Sequence, residues 1–173
     1  MEWGAEVPAL VARRHMPAET CRLLECSACG FRFFSGAMAG DKPAVTAMEH
    51  LSPQAFIDNK LPFSAAVRVG NMLYLSGQIG TATGSNKLVE GGIQAESRQT
   101  MDNIKMTVEE YGSDMDHVIN CTVFLADIAE WGTFNAVYVT YFKAEKMPAR
   151  SAFGANGLAL GARVEVQCNA LIP

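Results

Sequence analysis

Between Ala162 and Ala170, Val164, Val166, Cys168 and Ala170 alternate with Arg163, Glu165, Gln167 and Asn169. A side-chain period of two belongs to an extended strand with one covered face, and a slip of one residue would turn every apolar group to water. The chain is therefore committed to a sheet that something must cover. The cover is legible upstream. Ser97, Met101, Ile104, Val108 and Tyr111 recur at steps of four and three between Gly92 and Tyr111, the inward stripe of a helix. Glu96, Arg98, Lys105, Glu109 and Glu110 read as its outward face, and Gly112 as its C-terminal stop.

The other elements follow from shorter signals. Ala66–Val69 and Met72–Ser76 read as strands joined at Gly70-Asn71, a dipeptide that readily takes the positive φ of a tight hairpin turn. Thr83 to Asn86 reads as a loop. His117–Leu125 is β-branched and apolar, too short for a helix, and is expected as a strand. Asp127 is placed to cap a second helix reaching about Phe142, with Phe134, Val137, Tyr138 and Tyr141 at helical spacing. Ala149–Ala155 and Ala162–Leu171 close the chain as strands. The order ββ-α-β-α-ββ predicts an α+β fold, a mixed sheet with two helices packed on one face. Alternation leaves apolar side chains on the second face as well, so an oligomer is expected to cover it.

Length and charge narrow the function. At 173 residues the chain holds one well-buried domain. Residues 1–48 carry five basic and five acidic groups, while residues 49–173 carry nine against thirteen, which accounts for the net charge of −4. No basic face is visible, so no nucleic-acid partner is expected. No apolar run approaches the ~20 residues of a membrane span. Cys121 and Cys168 lie in apolar strand-like runs and are expected to be small buried hydrophobes, with no disulfide framework and hence a reducing compartment.

Residues 1–48 read as an extension that is disordered, processed or targeting, ahead of a single domain at 49–173. Cys21, Cys26 and Cys29 fall short of the four ligands of a structural zinc site, His15 being oddly spaced, so no metal is expected. Arg13, Arg14, Arg22 and Arg32 suit a mitochondrial presequence, whereas Glu2, Glu6, Glu19 and Glu25 oppose one. The cytoplasm is the expected compartment, or the mitochondrion if this segment targets.

The chemistry concentrates near the C-terminus. Pro148-Ala149-Arg150-Ser151 is followed, fifteen residues past its arginine, by Glu165. A guanidinium matches a carboxylate with two parallel hydrogen bonds. Such a pair suits gripping a small carboxylate substrate and managing a water molecule. Each residue has a plainer alternative. Arg150 also reads as a surface arginine after a proline, and Glu165 as an outward carboxylate paired with Arg163 or Arg150. Ser76 and Gly77 fit a turn after a strand, Asn135 a helical amide bonded to backbone, Gly77 and Gly161 special backbone geometry, and His117 a solvated ring.

These elements in this order resemble the Rid family (YjgF-type, or L-PSP) of enamine/imine deaminases. The resemblance covers about residues 61–172. It rests on Leu61-Pro62-Phe63-Ser64, Val69-Gly70-Asn71, Ser76-Gly77-Gln78-Ile79-Gly80, Gln99 with Asn103 and Ile104, Phe134-Asn135 with Tyr138, the Pro148–Ser151 tetrapeptide and Val164-Glu165-Val166. It implies a chorismate-mutase-like homotrimer with sheets facing a central core and three clefts between subunits. Arg150 then grips the substrate carboxylate and Glu165 positions the attacking water, without cofactor or metal. Phe63, Ser76, Gly77, Asn135, Ser151 and Ala152 join Arg150 as substrate-binding positions. Each cleft is expected to take Arg150 and Glu165 from one chain and residues near Phe63 from its neighbour. The implied activity is that of a 2-iminobutanoate/2-iminopropanoate deaminase-like hydrolase, turning 2-aminoacrylate and related 2-imino acids into 2-oxo acids and ammonia.

Three positions depart from the family pattern. Phe63 stands where many members carry tyrosine, Ala152 where many carry cysteine, and Gly157–Gly161 lacks the usual Leu-Pro. The alternatives are a carboxylate-metabolite binding protein without turnover, which the missing hydroxyl at Phe63 mildly favours, and a ribonuclease or translation inhibitor, which the acidic balance disfavours.

Overall fold

The strand built on the alternating run, β7 (Val164–Leu171), lies inside the sheet, between the hairpin strand β3 (Met72–Leu75) and β5 (Val118–Leu125). The computed structural model describes residues 47–173; the Cys21, Cys26 and Cys29 cluster, His15 and nearly all of the expected extension lie outside the described residues. The sheet runs β1 (Met48–Leu51), β2 (Ala66–Val69), β3, β7, β5, β6 (Ala149–Gly154), with the two-residue β4 (Gln78–Ile79) pairing the start of β7. Every pairing is antiparallel except β5 with β6, which is parallel. A parallel neighbour needs a crossover, and the chain between β5 and β6 supplies one through α3 (Trp131–Tyr138). The sheet is thus mixed and the fold α+β, as expected.

One face is finished within the chain. Leu73, Leu75, Cys121, Val123, Leu125, Val164, Val166, Cys168 and Ala170 meet Met101, Ile104 and Val108 of α2 (Gly92–Glu110) and Phe134 and Tyr138 of α3. Each large side chain fully buried there contributes roughly 1.5–3 kcal/mol. α2 ends where Gly112 turns left-handed (φ 85°), the Ser113 amide reaching Val108 O at 2.8 Å. Gly70, at φ 62°, makes the β2–β3 turn.

Several expectations are corrected. β1, β4 and the short helix α1 (Gln54–Asp58) are additional elements. Asp127 caps only a single 3-10 turn, accepting from the Ala129 amide at 2.9 Å, and α3 proper is eight residues long. Glu96, read as outward, is buried because its carboxylate accepts the Arg163 amide at 2.8 Å. Cys121 and Cys168 are not free thiols. They stand directly opposite on β5 and β7, their Cα atoms 4.1 Å apart, and form a disulfide. Buried they are, but the inference to a reducing compartment loses its cysteine argument.

The second face is less apolar than expected. On β5 and β7 it carries Asn120, Thr122, Glu165, Gln167 and Asn169, with Asn169 Nδ2 donating a hydrogen bond to Asn120 Oδ1 at 3.1 Å. Aromatic groups sit beside this polar strip, Phe124 and Phe153 with ring centroids 6.3 Å apart, and Tyr74 on β3. Among the described residues no helix is long and apolar enough to cross a membrane.

Candidate functional site

Arg150 on β6 is in register with Cys121, whose sulfur is bonded to Cys168 within the core. Since paired positions share a face, the Arg150 side chain rises on the helix-covered side. There α3 presents Trp131, Asn135 and Tyr138 at i, i+4 and i+7, one stripe of a helix. Arg150 Nη1 donates to Asn135 Oδ1 at 2.9 Å. Its Cζ lies 4.5 Å from the Tyr138 ring centroid and 5.6 Å from that of Trp131. Arg150 is thus no loose surface arginine. Burial pushes the Tyr138 phenol up to about 12, with Arg150 pulling the other way, so the ring beside the cation stays neutral.

Glu165 belongs to the opposite face. It pairs across the sheet with Phe124 and Ile79, and Phe124 pairs in turn with Phe153. It forms no ion pair among the described residues: Arg163 is held by Glu130, with Nε at 3.1 Å, and Arg150 by Asn135. Gly77 is explained by this carboxylate. A Cβ there would fall on Glu165 Oε1, the end of a flexible side chain, so a larger residue would displace the carboxylate, and no unusual φ calls for the glycine. Gly161, by contrast, is left-handed at φ 75°, a backbone role as read.

The remaining positions divide likewise. Ser76 Oγ donates to Ser64 O at 2.6 Å, which ties the Phe63-Ser64 segment to the end of β3. Phe63 is half exposed and meets Phe56 edge-on, ring centroids 5.8 Å apart. Ser151 is exposed beside Thr122 on the open face, while Ala152 packs against the core on the Arg150 side. His117 is held by Asp114, Nδ1 to Oδ1 at 2.8 Å, which draws the Asp114 carboxyl below its usual range.

The structure therefore gathers Arg150, Asn135 and Ala152 on one side, and Glu165, Gly77 and Ser151 on the other. Along the strands Arg150 is level with Cys121 and Glu165 with Phe124, three residues on, about 10 Å at the rise of a strand. A cleft drawing Arg150 and Glu165 from the same chain is overturned by this arrangement. Trp131 and Tyr138 are not among the site positions expected from the sequence; their signal is the i, i+4, i+7 spacing around Asn135. Among the described residues no group of three or more His, Cys, Asp or Glu could hold a metal ion. A concavity of about 420 Å3 bordered by Asp102, Lys105, Asp116 and Lys143 includes none of the site positions.

Residues 54–172 match the family described as Endoribonuclease L-PSP. The chain is 39% identical over 110 residues to the mouse protein named 2-iminobutanoate/2-iminopropanoate deaminase, a match spanning 64% of this chain and 81% of that one. Its fold resembles that of YyfA from Yersinia pestis, of the conserved Rid protein family, with a TM-score of 0.67, 30% identity and coverage of 73% of this chain and 100% of that chain. RidA from an Antarctic Psychrobacter gives a TM-score of 0.61 at 34% identity, covering 64% of this chain and 89% of that one.

Proposed function

The chain belongs to the Endoribonuclease L-PSP family, the Rid or YjgF-type proteins, and on that premise we propose that it hydrolyses small enamine and imine acids to 2-oxo acids and ammonia. The observation that carries the reading is Arg150, a guanidinium already oriented by α3. Two of its N–H groups bind the substrate carboxylate in parallel, which fixes the adjacent C=N bond. An enamine such as 2-aminoacrylate first takes a proton at its β-carbon and becomes the imine. Glu165 orients a water toward the imine carbon, accepts its proton as the C–O bond forms, and returns a proton to nitrogen. Collapse of the carbinolamine breaks the C–N bond, releases ammonia and leaves the 2-oxo acid. No cofactor enters this scheme.

Because Arg150 and Glu165 lie on opposite faces, a site holding both takes them from two chains. The open face supplies Glu165, Gly77 and their neighbours to the Arg150 side of another copy, with Phe63, Ser151 and Ala152 in the walls. Ser76 acts by holding Gly77 and the Phe63 segment in place. A cyclic homotrimer closes such heterologous contacts with three equal clefts. Residues 49–173 are the working unit, in the cytoplasm or, if residues 1–48 target it, the mitochondrion.

The test couples the purified protein to an enzyme that generates 2-aminoacrylate and follows pyruvate. Faster pyruvate formation than the spontaneous rate is expected. No acceleration with any 2-imino acid would sink the reading, and tight calorimetric binding of a 2-oxo acid in its absence would establish a binding protein instead.

A further inference from the structure

We propose that Trp131 and Tyr138 form an aromatic cradle that sets how tightly and how selectively Arg150 holds a carboxylate, Trp131 being the adjustable member. The inference rests on Arg150 as the carboxylate grip.

A guanidinium on a free side chain samples many rotamers, and a bidentate contact is only as strong as its orientation is fixed. Here three side chains of one helical stripe fix it. Asn135 takes one Nη1 hydrogen, and the rings of Tyr138 and Trp131 lie within cation–π reach of Cζ at 4.5 and 5.6 Å. The donors not used by Asn135 are left for a ligand. The two rings differ in kind. Tyr138 is buried and wedged between Phe134 and Phe142, with centroids 5.5 and 4.9 Å away, so packing alone accounts for it. Trp131 is 41% exposed, and packing gives little reason for so large an apolar ring at the start of α3. The guanidinium it faces supplies that reason. Both are positioning residues, acting on substrate through Arg150.

The experiment compares Trp131→Leu and Trp131→Phe with the unaltered full chain, measuring calorimetric affinity for 2-oxobutanoate and for its neutral amide. Trp131→Leu is expected to weaken carboxylate binding roughly three- to thirtyfold, the range of a cation–π contact from half exposed to desolvated. Amide binding stays level, so the carboxylate preference falls by the same factor. Trp131→Phe restores most of the loss. In turnover the deficit of Trp131→Leu is carried mainly by KM. Unchanged carboxylate affinity in Trp131→Leu, an equal loss for the amide, or a Phe variant no better than Leu would each overturn the proposal. Wild-type binding of 2-oxobutanoate without imine turnover would overturn the deaminase reading and leave the cradle intact. Equal binding by Arg150→Ala would remove the carboxylate grip, and the cradle with it.

Discussion

The two faces of this sheet are built to different degrees of completion. On the helix side, alternate residues of β3, β5 and β7 are sealed under α2 and α3, and Arg150, placed there, already has an amide and two rings around it. On the open side Glu165 has no charged partner among the described residues, and Phe153 and Tyr74 remain 54% and 44% exposed. On the proposed reading, a single chain thus pre-orients the group that binds and leaves the group that moves protons facing outward. Neither half is a site alone.

The sharpest break would come from the finished side. Arg150→Ala is expected to cut kcat/KM by at least ten- to a hundredfold, the loss of a charge-assisted contact. Arg150→Lys should fail nearly as badly, because an ammonium reproduces neither the fork nor the stack. The fold should persist, since Arg150 lies on the edge strand β6 and not in the core. Near-wild-type turnover by assembled Arg150→Ala would refute the site.

Next comes complementation between faces. Arg150→Ala and Glu165→Gln are each expected to be inactive alone. Co-refolded in equal amounts, mixed trimers should each keep one intact cleft of three, so about a quarter of wild-type activity returns. No recovery would place both groups of a cleft in one chain and overturn the division described here.

Much of this was legible in the chain, and the limits have physical causes. The α2 stripe, the β2–β3 hairpin and the alternation of β7 are local patterns, which is why their boundaries fall within a residue or two of the expected ones. β4 is two residues long, too short to carry a period. The opposition of Arg150 and Glu165 depends on two registers at once, β6 on β5 and β5 on β7, and no local pattern encodes either. The Cys121–Cys168 bond is hidden for the same reason, across a separation of 47 residues. Glu96 misled because its partner, the Arg163 amide, is equally remote.

Smaller lesions should separate the faces by kinetic signature. Asn135→Ala removes the bond to Arg150 Nη1 and should raise KM roughly three- to tenfold, the worth of one such bond, with less change in kcat. Gly77→Ala pushes a methyl group into the Glu165 carboxylate and should lower kcat by a similar factor with less change in KM. Steady-state kinetics on one imine decides it. If both variants shift the same constant, binding and proton transfer are not divided between the faces.

The smallest effect is expected at the N-terminal border. β1 begins at Met48 and pairs with β2 from Met48 opposite Val69 to Leu51 opposite Ala66, Leu51 packing on the core. A chain starting at Met48 keeps all of this, so its activity, oligomeric state and Tm should match the full chain. A chain starting at Gln54 loses an edge strand and the partly buried Leu51, roughly 1–2 kcal/mol of apolar burial, and should melt a few degrees lower. It also removes Met48 and His50 from the open face, where His50 pairs with Val67 and its Nδ1 lies 3.4 Å from Ser64 Oγ. Any weakening of assembly should therefore appear only in the second truncation. Sedimentation and thermal melts of the three lengths give the answer. A fall in stability or mass already at the Met48 start would make residues 1–47 part of the domain.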